Sequence, residues 1–135
     1  MKKRILLVSF LLCNTFVFCQ SSDCRRIPMA KWTSKVYPFD LDTQSKVMVF
    51  EMYFNDSVSV FAGGQVIARE FIKTERTLGA AKTVIETSIY GKKMTIFIGK
   101  DCYTFYFKKG FKYYYFTRHS KGVGIQYSNY QREYF

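Results

Sequence analysis

Residues 85–115 read IETSIYGKKMTIFIGKDCYTFYFKKGFKYYY. Short runs of Ile, Thr, Tyr and Phe are broken by turn-forming residues at Gly91-Lys92, Lys100-Asp101 and Lys108-Lys109-Gly110. β-branched and aromatic runs punctuated in this way predict antiparallel strands. Each turn also fixes a register. Gly91-Lys92 suits a two-residue hairpin with Gly first, which sets Ile89 opposite Met94 and Ile85 opposite Ile98. A two-residue turn at Lys100-Asp101 sets Ile98 opposite Tyr103 and Ile96 opposite Phe105. Lys108-Lys109-Gly110 fits a three-residue loop whose last position is left-handed, setting Phe107 opposite Phe111 and Phe105 opposite Tyr113. All three place Ile85, Ile89, Met94, Ile96, Ile98, Tyr103, Phe105, Phe107, Phe111, Tyr113 and Tyr115 on one face. Glu86, Lys93, Thr104, Tyr106 and Lys112 take the other. Because a one-residue slip would turn the apolar set to water, the agreement predicts a four-stranded meander.

Upstream, residues 46–54 are apolar on both faces, as a central, doubly covered strand would be. Asn55-Asp56 and Gly63-Gly64 read as the next turns, leading into strands at 58–62 and 65–72. Seven or eight short strands in hairpin order predict an all-β antiparallel meander, either a closed up-and-down barrel or a two-layer sandwich. A helix is arguable only at 29–37, between Pro28 and Pro38.

The N-terminus carries an address. Lys2-Lys3-Arg4 precedes apolar residues 5–19, and the chain turns polar at Gln20-Ser21-Ser22-Asp23. This is the pattern of a secretory signal peptide, with Val17 and Cys19 at the positions read by the peptidase. The run of about fifteen residues is shorter than the roughly 20 that span a bilayer. Leu12 before Cys13 and Phe18 before Cys19 are poor contexts for lipid attachment. Cleavage before Gln20, a periplasmic or extracellular location and no transmembrane helix after processing are expected. What remains is a partly irregular segment, 20–45, packed with a β domain, 46–135, as a single domain. It keeps two cysteines, Cys24 and Cys102, and an oxidising compartment predicts that they are bridged. That bridge would close a loop of nearly eighty residues, worth about 4 kcal/mol in the chain-entropy account.

Charge is the clearest pointer to function. The full chain carries a formal net charge of +11 at pH 7, unevenly spread. Residues 20–90 hold nine basic and eight acidic side chains, whereas 91–135 hold nine basic and two acidic. A basic C-terminal third predicts electrostatic binding of an anionic envelope component or an acidic protein, through Lys108, Lys109, Lys112, Arg118 and Lys121. The alternation of lysines and aromatics over 107–115 is also used by single-stranded nucleic-acid platforms. The registers above turn alternate aromatics into the core, however, so nucleic acid is not the expected partner.

Catalysis has little to stand on. The single histidine, His119, excludes a two-histidine metal site. Glu51, Glu70 and Glu86, with Arg69 and His119, contain the residue types of a small secreted ribonuclease, but they fall on separate predicted strands. No catalytic residue, metal or cofactor is expected. Ala30-Lys31-Trp32 resembles the Gly-x-Trp opening of lipocalin-like barrels, with Ala in place of Gly. That resemblance implies the alternative function, a small barrel binding an apolar ligand inside.

Overall fold

The structure, a computed structural model, describes residues 24–32, 42–75, 84–89 and 91–133. The segment read as a signal peptide and most of the arguable helix lie outside these residues. Ten strands are described: β1 (Arg25–Arg26), β2 (Met29–Lys31), β3 (Lys46–Phe50), β4 (Asn55–Ala62), β5 (Gln65–Lys73), β6 (Val84–Thr87), β7 (Met94–Ile98), β8 (Asp101–Phe105), β9 (Tyr113–His119) and β10 (Gly122–Ser128). They form two five-stranded sheets, ordered β1-β8-β7-β4-β5 and β2-β10-β9-β3-β6. The protein is all-β, and of the two architectures foreseen it takes the sandwich, not the closed barrel.

The expectation of purely antiparallel pairing is corrected. β1 runs parallel to β8, β2 parallel to β10 and β3 parallel to β9, so both sheets are mixed. The cause is the chain path. It crosses between sheets after β1, after β3, after β5, after β6 and after β8, and a strand arriving from the opposite layer need not run against its new neighbour.

The meander is corrected with it. β7 and β8 pair antiparallel, but Met94 sits opposite Phe105 and Ile96 opposite Tyr103. This lies two residues from the expected register, because Gly99 (φ 59°) and Lys100 make the turn and Asp101 opens β8. A slip of two preserves the faces, so Met94, Ile96, Ile98, Tyr103 and Phe105 are all buried as anticipated. β6 does not pair with β7. It joins β3 in the other sheet, with Met48 opposite Ile85. β9 does not pair with β8 either, and its parity is reversed: Tyr114 and Phe116 enter the main core while Tyr115 faces outward. Asn55-Asp56 is also corrected, since these residues open β4 and the turn lies at Met52-Tyr53, where Tyr53 has φ 69°.

The core lies between the sheets. Val58, Val60, Ala62, Met94, Ile96 and Phe105 from one layer meet Met48, Phe50, Tyr114, Phe116 and Ile125 from the other. Rings interlock across it: Phe116 stacks on Phe50 at 5.0 Å and meets Phe105 edge-on at 5.4 Å. Burying each of these aromatics stabilises the fold by roughly 1.5–3 kcal/mol. All five residues of β3 are buried, as the doubly apolar run predicted, but the strand stops at Phe50, and Met52 and Tyr53, read as part of it, are exposed. Its outward residues Val47 and Val49 pack with Tyr115.

That outer face is closed by Trp32 and residues 130–132. Arg132 makes two bonds to the buried Glu51 carboxylate, at 2.6 and 2.8 Å, and Thr117 donates a third at 3.2 Å. The Arg132 guanidinium also lies 4.3 Å from the Tyr115 ring centre and 4.5 Å from that of Trp32. The Tyr115 hydroxyl donates to the Tyr130 carbonyl at 2.7 Å and accepts from the Arg132 amide at 2.9 Å. Burial pushes the Tyr115 phenol up to about 12.

Candidate anion-binding pole

Strand direction gives the sandwich two poles. The 106–112 crossing joins the end of β8 to the start of β9, so one pole collects the ends of β2, β4, β8 and β10 and the starts of β3, β5, β7 and β9. The residues that link β3 to β4 lie at the other.

The five basic residues singled out in the sequence do not form one patch. Lys108, Lys109 and Lys112 sit on the crossing at the first pole. Arg118 and Lys121 sit at the far end of β9, about 20 Å away at roughly 3.3 Å per residue. Arg118 is engaged there in an ion pair with Asp56. Lys121 occupies the β9–β10 turn, where its amide donates to the His119 ring at 3.3 Å. Cations at that pole (Lys73, Lys100, Arg118, Lys121) are interspersed with Asp56, Glu75 and Asp101.

The first pole has a different balance. Beside Lys108, Lys109 and Lys112, the N-terminal strands bring Arg26, whose partner in β8 is Thr104, and Lys31, whose partner in β10 is Tyr127. Lys31 Nζ lies 5.2 Å from the centre of the Phe111 ring. Lys92 and Lys93 precede β7, and the Lys92 side chain runs over the Gly63 turn. Among the described residues, Asp42, just before β3, and Glu86, opposite Val47, are the carboxylates at this end. The Asp42 carboxylate accepts the Gln44 and Ser45 amides at 3.0 and 3.4 Å. Arg26 and Lys31 were beyond sequence reasoning, because their neighbours lie some eighty residues or more away in the chain.

The crossing is held rigidly from beneath. Lys46, 1% exposed, donates from Nζ to the Phe111 carbonyl at 2.6 Å and also reaches the carbonyls of Thr43 and Lys108. Desolvation by burial lowers the pKa of this ammonium, and the nearby Asp42 charge opposes the shift. The buried Tyr114 hydroxyl accepts the Lys108 amide at 2.8 Å and donates back to the Lys108 carbonyl at 3.0 Å. Burial raises the Tyr114 pKa strongly, so the phenol stays neutral. Gly110, at φ 80°, closes the turn in the left-handed conformation anticipated for it. The Asn129 amide donates to the Gly110 carbonyl at 2.7 Å. Lys108 and Lys109 remain exposed while their backbone is fixed.

The disulfide is present. Cys24 and Cys102 are joined, with Cα atoms 4.6 Å apart, which ties β1 to β8 beside the Arg26 position. Of the ribonuclease-like set, Glu51 is held by Arg132, and Arg69 lies over the Phe61 ring at 5.9 Å.

No protein-family model matches this chain, and comparison with curated proteins and with solved structures returns no match to either.

Proposed function

We propose that this chain is a non-catalytic β-sandwich exported from the cytoplasm, where it binds an anionic macromolecule of the cell envelope through its basic pole. The observation that carries this reading is the convergence of Arg26, Lys31, Lys92, Lys93, Lys108, Lys109 and Lys112, from three separated stretches, onto one end of the fold. Like charges gathered together repel, and packing gives no reason for the exposed Lys108 and Lys109 to stand on a braced loop. A polyanion supplies one, because it neutralises several of them at once.

The rival reading, an apolar ligand inside a barrel, lacks its container. The interior is occupied by Phe50, Phe54, Phe105, Phe116 and Tyr114.

The test replaces Lys108 and Lys109 together by Glu. Both are exposed, so the melting temperature should barely move, while retention on anionic vesicles or an acidic envelope polymer at low ionic strength is lost. Wild-type retention should itself fade as ionic strength passes roughly 0.15 M, where the Debye length is about 8 Å. Retention of the double variant at the wild-type level would reduce the basic pole to a solvated surface.

A further inference from the structure

Within the basic pole lies a groove of about 320 Å³, lined by Arg26, Ile27, Pro28, Met29, Tyr106 and Lys108. We propose that it is the subsite for an acidic sugar residue, so that the polyanion is a glycan whose rings carry carboxylate, sulfate or phosphate groups. This rests on the reading above and gives it a ligand class.

Three observations carry it. The first is charge: among the described residues, Arg26 and Lys108 line the groove and no carboxylate does. The second is the Tyr106 ring. Phe105 and Phe107 on either side of it are buried and meet edge-on at 5.3 Å, which fixes the backbone between them, yet Tyr106 itself is 50% exposed. An aromatic face held out rigidly, next to two cations, packs against the C–H face of a pyranose while the cations meet the acid group. The phenol adds a hydrogen-bonding group for a ring hydroxyl. The third is size and rigidity. The volume falls at the lower end of small-ligand clefts, roughly 300–1,000 Å³, and a bare inorganic anion would not fill it.

Its walls are tied on both sides. Ile27 N–H donates to the Thr104 carbonyl at 2.9 Å, and Ile125 N–H to the Pro28 carbonyl at 3.0 Å. The Cys24–Cys102 bridge anchors the same segment, and Tyr114 holds Lys108. A preformed groove loses little entropy on binding. A nucleic-acid strand stacks successive bases on several rings, and Tyr106 is the one aromatic ring lining this groove among the described residues.

The experiment measures binding of purified protein, and of Tyr106→Ala, Tyr106→Phe and Arg26→Ala, to three probes at equal low ionic strength. The probes are polygalacturonate, poly-glutamate and a single-stranded oligodeoxythymidine. Wild type should prefer polygalacturonate over poly-glutamate. Tyr106→Ala should lose that preference by on the order of tenfold, with poly-glutamate binding and melting temperature unchanged, and Tyr106→Phe should restore most of it. Arg26→Ala should weaken both acidic polymers. Equal binding of both by wild type, an unaltered preference in Tyr106→Ala, or tightest binding of the oligonucleotide each overturns the glycan subsite. Wild type that binds none of the three overturns the anion-binding reading itself.

Discussion

Replacing Arg132 by Met tests how the outer face of the second sheet is held. Met keeps an apolar stem between Trp32 and Tyr115 but removes the guanidinium. Two charge-assisted bonds to Glu51, at 2.6 and 2.8 Å, are lost. Such bonds contribute roughly 1.5–3 kcal/mol each, though two from one guanidinium do not add fully. Breaking one partner of a buried pair costs about 3–5 kcal/mol, because the remaining charge stays in a poor solvent. The side chains here are 18% and 10% exposed, so the lower part of that range applies, about 3–4 kcal/mol. For a domain of slightly over a hundred residues, each kcal/mol lowers the melting temperature by about 4 °C, giving a fall of about 12–16 °C. The assay is urea unfolding of wild type, Arg132→Met, Glu51→Gln and the double variant. The two singles should each destabilise, and the double should recover about 2 kcal/mol of the summed loss, the coupling expected of groups in direct contact. A single-variant loss under about 1 kcal/mol with no coupling would show a solvent-screened pair and refute the argument.

Three other outcomes are expected. Phe105→Ala should cost about 3–5 kcal/mol and Tyr106→Ala much less, since the first ring is 1% exposed and the second 50%; equal costs in denaturant unfolding would contradict the assigned faces. Alkali should unfold the protein. Tyr114 and Tyr115 have raised pKa values in the fold, so the stability they give is complete below their unfolded value of 10.0 and drains away as pH rises towards about 12 for Tyr115. The share of phenolate absorbance that comes from Tyr114 and Tyr115 should therefore appear together with loss of the β-sheet signal, and ionisation of all tyrosines without unfolding would refute this. Cys24→Ser with Cys102→Ser should cost about 2–5 kcal/mol in unfolding assays, and a double variant as stable as wild type would leave the bridge without a role.

What could be read in advance follows from period and distance. Burial in β7 was legible because alternation there is sharp: Thr95 and Phe97 face away from Met94, Ile96 and Ile98, and a two-residue error in the turn leaves that parity intact; in β8 Tyr103 and Phe105 are buried as read, but Thr104, assigned to the other face, is buried too. In β9 it was not legible. Tyr113, Tyr114, Tyr115 and Phe116 are aromatic at every position, so hydrophobicity could not choose between faces, and the choice fell to a crossing that changes sheets. Gly91 and Gly110 both adopt the left-handed backbone expected of them, at φ 80° each. A turn residue shows that the chain bends, however, and not which strand it meets afterwards. Lys108, Lys109 and Lys112 were found because they adjoin in sequence. Arg26 and Lys31 joined them only through parallel pairings that span most of the chain.

Those same pairings set a timetable. The first strands to leave the ribosome, β1 and β2, find their partners in β8 and β10, and Cys24 must wait for Cys102, 78 residues later. Long-range and parallel contacts are slow to form, since loop-closure entropy precedes any reward. Neither sheet can acquire its N-terminal edge until nearly the whole polypeptide is available. An architecture closed this late leaves folding until synthesis is almost complete, an order that suits the export proposed above.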